Sequence, residues 1–388
     1  MPATLELIGR GPITLEAAVA EEEDVINWAS YAPATHRLYQ EIWDQRNSIE
    51  ALVKHHMALS TQDKCTVLPP VHWIRGSFNL AEARYPGSID EKLSCEAGAY
   101  IWIEEKCPEI RSPHLFGFGF MNGRHFTHTK HMPFFPRISR QFWRSLYKLF
   151  RLPLLSHYVW NPPSHQGHFA YMVLGVPGGY SGARIGSFQF NDDGVITLTN
   201  RPLSCSMMIL ENDGATRTIH RNDTFSCTDA FVSDTLTFHD HRFLSQRNAV
   251  YDENDCRGQM AVKTLLRVLS HNHIRRELRS GPFLLQLTDF HASNILVDKQ
   301  WNVTGLIDLE WVCALPAEML EVPYWLTGCA IDEIKGEQLD RFDKVRREFM
   351  HIFKDEEQFW CRDSVDVVRK KLADKQAYDE ELRNLFGK

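Results

Sequence analysis

The sequence predicts an α+β fold, as one bilobal unit or two modest domains. Three observations carry this. Short apolar runs joined by turn residues recur around Asn122-Gly123, around Asp193-Gly194 and across residues 284–308, the pattern of antiparallel hairpins. Between them lie long stretches with apolar residues at helical spacing. At 388 residues, 43% hydrophobic and 11% aromatic, the chain is able to bury a sizeable core, as one bilobal unit or two modest domains.

In chain order, residues 15–60 predict helices. Glu21–Asp24 place acidic groups near a helix start, and Ile26, Tyr39, Ile42, Trp43, Ile49 and Leu52 recur at near-helical spacing, as in an amphipathic bundle covering the small lobe. Residues 65–79, CTVLPPVHWIRGSFN, predict a strand entering a turn at Gly76-Ser77. A helix follows in DEKLSCEAGAYIWIEEKC, with Leu93, Ala97, Tyr100 and Ile101 on one face. Residues 108–130 predict a hairpin turned at Asn122-Gly123. In RISRQFWRSLYKLFR (137–151), Ile138, Phe142, Leu146 and Leu149 make an apolar stripe and five basic residues take the other faces. Such a helix suits a membrane surface or an anionic ligand, but the expectation here is a packed stripe under a solvated basic face.

Residues 168–175, HFAYMVLG, predict a strand, after which VPGGYSGAR is too rich in Gly and too short to form helices. IGSFQFNDDGVITLTN (185–200) predicts a hairpin turned at Asp193-Gly194. Two helices are expected over 228–245 and 255–278, starting near Thr228-Asp229 and near Asp255. The second carries Met260, Val262, Leu265, Leu266, Val268 and Leu269, a wide face suited to the core. PAEMLEVPYWLTG then marks a loop, and 331–385 predict charged helices closing the large lobe.

Composition excludes several classes. A formal charge of −7 argues against a default role on nucleic acid or an anionic membrane, which usually leaves a basic excess. Nine scattered cysteines without a C-x-x-C pair indicate neither a disulfide framework nor a zinc site, and reduced thiols in a cytoplasmic protein fit best. Neither a signal peptide nor a long apolar run is evident, so stable membrane insertion is not expected.

The chemistry is concentrated in LLQLTDFHASNILVDKQWNVTGLIDLEW (284–311). An apolar run ends at Asp289, Asn294 follows five residues later, and a hairpin turned at Asp298–Asn302 returns the chain to Asp308. Phosphoryl transfer gives this spacing a physical logic. One carboxylate accepts the proton of an attacking hydroxyl, while a second carboxylate and an amide oxygen hold the Mg²⁺ that bridges a nucleotide's phosphates. His291 reads as a structural histidine, and Glu310 as either a partner of the metal ligands or a spectator.

This stretch resembles the signature of the kinase-like aminoglycoside phosphotransferase and choline kinase superfamily. WIRGSFN (73–79), DEKLSCE (90–96) and LTDFHASN (287–294), with IGSF, TNRPL, DLEW and PYWLT in order, resemble a fungal branch of it. The resemblance runs from about residue 20 to about residue 350 and implies a bilobal protein-kinase-like fold. Under it, 1–64 is a helical segment on the small lobe, 65–175 the small nucleotide lobe with an inserted basic helix, and 176–388 the large catalytic lobe. It implies Asp289 as the catalytic base, Asn294 and Asp308 on Mg²⁺, Gly76, Ser77, Arg84 and Glu96 at the nucleotide, and ATP with Mg²⁺ as cofactors. The partner would be a small-molecule acceptor carrying hydroxyl or amino groups.

Two segments are shorter than the resemblance leads one to expect. Ten residues separate Asn79 from Asp90, with Arg84 the single basic one, and the chain after residue 175 lacks room for the usual helix pair. Both losses fall on the nucleotide side and predict weak ATP binding. Two readings therefore stay open, an ATP/Mg-dependent small-molecule O-phosphotransferase and a catalytically impaired kinase-fold protein that binds a ligand or partner. An Asp-dependent hydrolase of another fold does not explain WIRGSFN together with DLEW.

Overall fold

A computed structural model describes residues 4–7, 11–21, 24–60, 62–73, 88–106, 112–162, 170–175, 184–320, 323–328 and 334–356. The chain divides into two compact units, Met1–Pro316 and Ala317–Lys388. Helix and sheet are mixed, as an α+β fold requires.

The first unit begins with β1 (Thr4–Leu5), β2 (Ile13–Thr14), α1 (Leu15–Ala20), α2 (Val25–Asp44) and α3 (Arg46–Met57). Next come α4 (Ser88–Lys106), β3 (His114–Gly119), β4 (His125–His128), α5 (Phe134–Leu149), β5 (Leu154–Leu155), β6 (Tyr158–Trp160) and β7 (Tyr171–Gly175). The hairpin β8 (Gly186–Phe190) and β9 (Val195–Asn200) precedes α6 (Cys205–Asn212), α7 (Thr228–Ser245) and α8 (Glu253–His273). The unit closes with β10 (Leu284–Leu287), β11 (Ile295–Val297), β12 (Val303–Leu306) and β13 (Val312–Leu315). The second unit contains a short 3-10 turn, Tyr324–Thr327, and α9 (Glu337–Glu356).

Two antiparallel sheets dominate, a four-stranded one in the order β6-β4-β3-β7 and a five-stranded one in the order β10-β13-β8-β9-β5. α4 joins their cores. Its Leu93, Ala97, Tyr100 and Ile101 cluster with Leu115, Phe118 and Phe126 of the first sheet and with Phe188, Phe190 and Ile196 of the second. The sequence pattern foresees one buried face, whereas Cys95, Gly98, Ala99 and Ile103 are buried too, so α4 is covered on nearly every side. Gly98 permits this approach, because a Cβ there would meet the Phe188 Cβ at 2.8 Å.

A buried ion network fixes α4 lengthwise. Arg201, fully buried just past β9, donates from Nε to Glu91 Oε1 at 2.8 Å and from Nη1 to Glu211 of α6. Arg217 donates to both oxygens of Glu211 at 2.7 Å. α3 is anchored by His56, whose Nδ1 is hydrogen-bonded to Thr127 Oγ1 and whose Nε2 is hydrogen-bonded to Tyr171 OH, both at 2.7 Å.

The hairpins lie where the sequence puts them. Gly123 and Gly194 both take φ of 80°, the left-handed conformation their turns need. Three expectations change. Residues 65–73 are irregular with a 3-10 turn at Pro70–His72 and no strand, because Pro69 and Pro70 withhold the N–H groups a ladder requires. α8 starts at an Asp252 cap that accepts from Asp255 N and ends at His273. None of its residues is buried, and Met260, Val262, Leu265 and Val268 are each more than half exposed, so its apolar face is not a core face. α5 likewise buries no residue and packs no apolar stripe.

Candidate active site

Asp289 leaves β10 at a fixed point. β10 pairs with β13 from Leu284↔Leu315 to Leu287↔Val312, and Thr288 latches the end of that ladder. Its Oγ1 donates to Trp311 O at 2.9 Å and accepts from Cys205 N at the start of α6 at 3.2 Å. The next turn ends at Asn294, which is buried and donates from Nδ2 to the Asp289 carbonyl at 2.9 Å. That bond fixes the amide's orientation and leaves Oδ1 to accept.

The hairpin β11–β12 then brings the chain back. Asp298 shapes its turn, with Oδ1 accepting from Gln300 N at 2.8 Å and from Asn302 N at 2.9 Å. Ile307 N donates to Asn294 O at 2.9 Å, so the residue after it, Asp308, is delivered beside Asn294. Asp308 has φ of 61°, a left-handed backbone that Asp tolerates better than most residues and that concentrates at functional positions.

α4 supplies the other wall. Lys92 Nζ lies 2.6 Å from Glu310 Oε2 and 5.1 Å from the centre of the Trp311 ring. One turn on, Glu96 keeps some accessible surface, yet protein crowds its carboxyl. Burial first and then the Glu310 charge push it up to about 8, with Lys92 opposing and Asp308 adding. Glu310 is pushed up to about 7 by burial, against the pull of Lys92. Asp308 is also raised, by burial and by Asp289, while Lys92 and His291 draw it down. Burial, then Asp289, Glu310 and Asp308, push the Cys205 thiol up to about 12, so it stays protonated. The site is therefore a dense carboxylate cluster moderated by Lys92.

The fold brings four of the candidate residues together: Asp289, Asn294, Asp308 and Glu96. Gly76, Ser77 and Arg84 lie outside the described residues, as does the segment 176–183 that follows β7. Glu310 is engaged by Lys92. His291 is hydrogen-bonded through Nδ1 to Ser293 Oγ at 2.7 Å, a local bond that fits a structural role. Sequence reasoning missed Lys92, although a lysine four residues before Glu96 shares its helix face and was the available signal.

Neither a curated protein nor a solved structure matches the chain. Residues 214–317, which contain β10, both hairpin strands and the residues Asp289, Asn294 and Asp308, match the family described as Phosphotransferase enzyme family (APH), and this match supports the kinase-like aminoglycoside phosphotransferase superfamily for the chain.

Proposed function

We propose that the chain is a small-molecule phosphotransferase of the fungal aminoglycoside-phosphotransferase type, transferring the γ-phosphoryl group of ATP to a hydroxyl of a small metabolite. The carrying observation is the pair of bonds Asn294 Nδ2 to Asp289 O and Ile307 N to Asn294 O, which gathers one amide and two carboxylates at the end of one hairpin. In this reading Asp289 accepts the proton of the acceptor hydroxyl. Asn294 Oδ1 and the Asp308 carboxylate fit Mg²⁺ by donor chemistry, since both are hard oxygens and the amide's N–H is already committed to Asp289 O. When bound, Mg²⁺ neutralises phosphate charge. Lys92 holds Glu310 and moderates the charge around Asp308, so a cation serves this wall of the site independently of Arg84. Gly76 and Ser77 would face the phosphates, with Glu96 orienting the cation and Arg84 reinforcing it.

The test is ADP production by the purified chain with Mg²⁺ and ATP over a panel of hydroxylated and amino-bearing acceptors. Turnover should fall at least about 100-fold in Asp289→Asn, the ordinary contribution of a general base. Turnover equal in the two proteins, or no ADP production at millimolar ATP with any acceptor, would refute the proposal. The short segments around Arg84 and after β7 place the expected ATP affinity in the weak range.

A further inference from the structure

α5 is built inside out. Its apolar residues occupy one half of the helical circumference and its basic residues the other, which in an ordinary surface helix puts the apolar half on the core. Here the basic half faces the protein. Arg140 donates from Nε to Ser156 O at 2.8 Å and from Nη1 to Asp193 O at 3.1 Å, and Arg144 donates from Nη2 to Glu105 Oε2 at 2.6 Å. These two arginines stand one helical turn apart, so they hold α5 flat along the molecule by its polar side. The outward side carries Phe134, Phe135, Ile138, Phe142, Trp143 and Leu149, exposed by 51–83%. An aromatic surface of this kind is uncommon on a soluble monomer and marks an interaction site.

Charge identifies the partner. α5 contains no acidic residue, and Arg137 and Lys148 are exposed on it. Beside it opens a cavity of about 820 Å³ lined by Lys106, Lys148, Arg151 and Arg184. The acid there, Glu105, is neutralised by Arg144 at 2.6 Å. The chain as a whole is negative, so this positive rim is local. An aromatic and aliphatic face flanked by Lys and Arg, on a helix of low net hydrophobicity lying flat, is the chemistry of a helix seated at a lipid headgroup boundary.

We propose that α5 is an interfacial helix that docks the protein reversibly on a membrane leaflet carrying anionic lipid. Phe135, Phe142 and Trp143 enter the headgroup boundary, while Arg137 and Lys148 meet lipid phosphates and carboxylates from its edges. Among the described residues no helix is long and apolar enough to cross the bilayer.

Flotation of the full chain with vesicles tests this directly. The protein should float with phosphatidylcholine vesicles containing phosphatidylserine, and much less with phosphatidylcholine alone. The triple change Phe135→Ser, Phe142→Ser, Trp143→Ser should lower partitioning at least tenfold, with an unaltered melting temperature because these side chains are exposed. Arg137→Gln with Lys148→Gln should lower it about fivefold per charge on anionic vesicles and leave neutral vesicles unaffected. Wild-type protein that stays unbound, or binds both vesicle types equally, overturns the proposal, as does a triple variant that floats like wild type. Concentration-dependent dimers without vesicle binding, lost in the triple variant, would assign the face to a second copy instead.

Discussion

Asp308 is where local backbone and chemistry meet. Its left-handed φ and the Ile307 to Asn294 bond present its carboxylate next to an amide oxygen, among groups whose burial and mutual repulsion raise their proton affinity. A divalent cation relieves that repulsion. Asp308→Ala should therefore abolish the rise in melting temperature given by Mg²⁺ with nucleotide while leaving the metal-free melt within a few degrees, and identical Mg²⁺–nucleotide shifts in both proteins would count against the metal role. Arg201 tests a different kind of residue. It sits at zero exposure between Glu91 and Glu211, and Arg201→Met strands the buried Glu91 carboxylate and leaves Glu211 to Arg217 alone. We expect a loss of about 3–5 kcal/mol by urea unfolding, whereas a loss below about 1 kcal/mol would mean that α4 is not held by this network. Both residues stand in motifs legible in the sequence, IDLEW and TNRPL. Their partners were not legible, because Arg201 meets Glu91 across 110 positions of chain.

The four-stranded sheet gathers histidines. His56, fully buried, is pushed down to about 3 by burial and then by neighbouring His55 and His125. His128 is pushed down to about 2, by burial and then by His114 and His157. Glu104, His114 and His128 bring ligand atoms within 4.8 Å of one another, but His128 Nδ1 already accepts Lys130 N at 3.0 Å. The neutral ring must then carry its proton on Nε2, which leaves no lone pair there for a metal. Both histidines are neutral when folded and protonate near pH 6.5 when unfolded, so the unfolded state binds more protons as pH falls. Their stabilisation is complete above about pH 6.5 and is lost on acidification, by about 2 kcal/mol for each between pH 7 and pH 5. His128→Asn offers Oδ1 in place of Nδ1 as the acceptor for Lys130 N and should remove about one proton from the pH slope of the urea unfolding free energy. An unchanged slope between pH 6 and pH 5 would defeat this account. At the same scale, helical spacing located α5 and α8 within a few residues but misjudged what their apolar faces meet. Periodicity records which residues share a side and carries no record of which side the rest of the chain covers.

Six described cysteines, Cys65, Cys95, Cys205, Cys227, Cys256 and Cys313, are free, in keeping with a scattered, unpaired distribution. Cys95, Cys205 and Cys313 are buried, and burial raises the proton affinity of all three thiols. Thiol titration at pH 8 should find these three slow in the native chain, and protein denatured from a reducing lysate should give nine thiols. A reproducible total of seven or fewer would indicate a native disulfide. For the molecule as a whole, the mixed α+β character, the glycine-turned hairpins and the Asp289–Asn294–Asp308 constellation are legible in the chain alone, since each depends on turn chemistry and spacing within a few dozen residues. Long-range packing brings Lys92 into that site, locks α4 through Glu91 and Arg201, and turns the arginines of α5 inward. Those outcomes depend on which distant surfaces meet, and charge or hydrophobicity along one stretch of chain does not encode the shape or charge of the surface it will face.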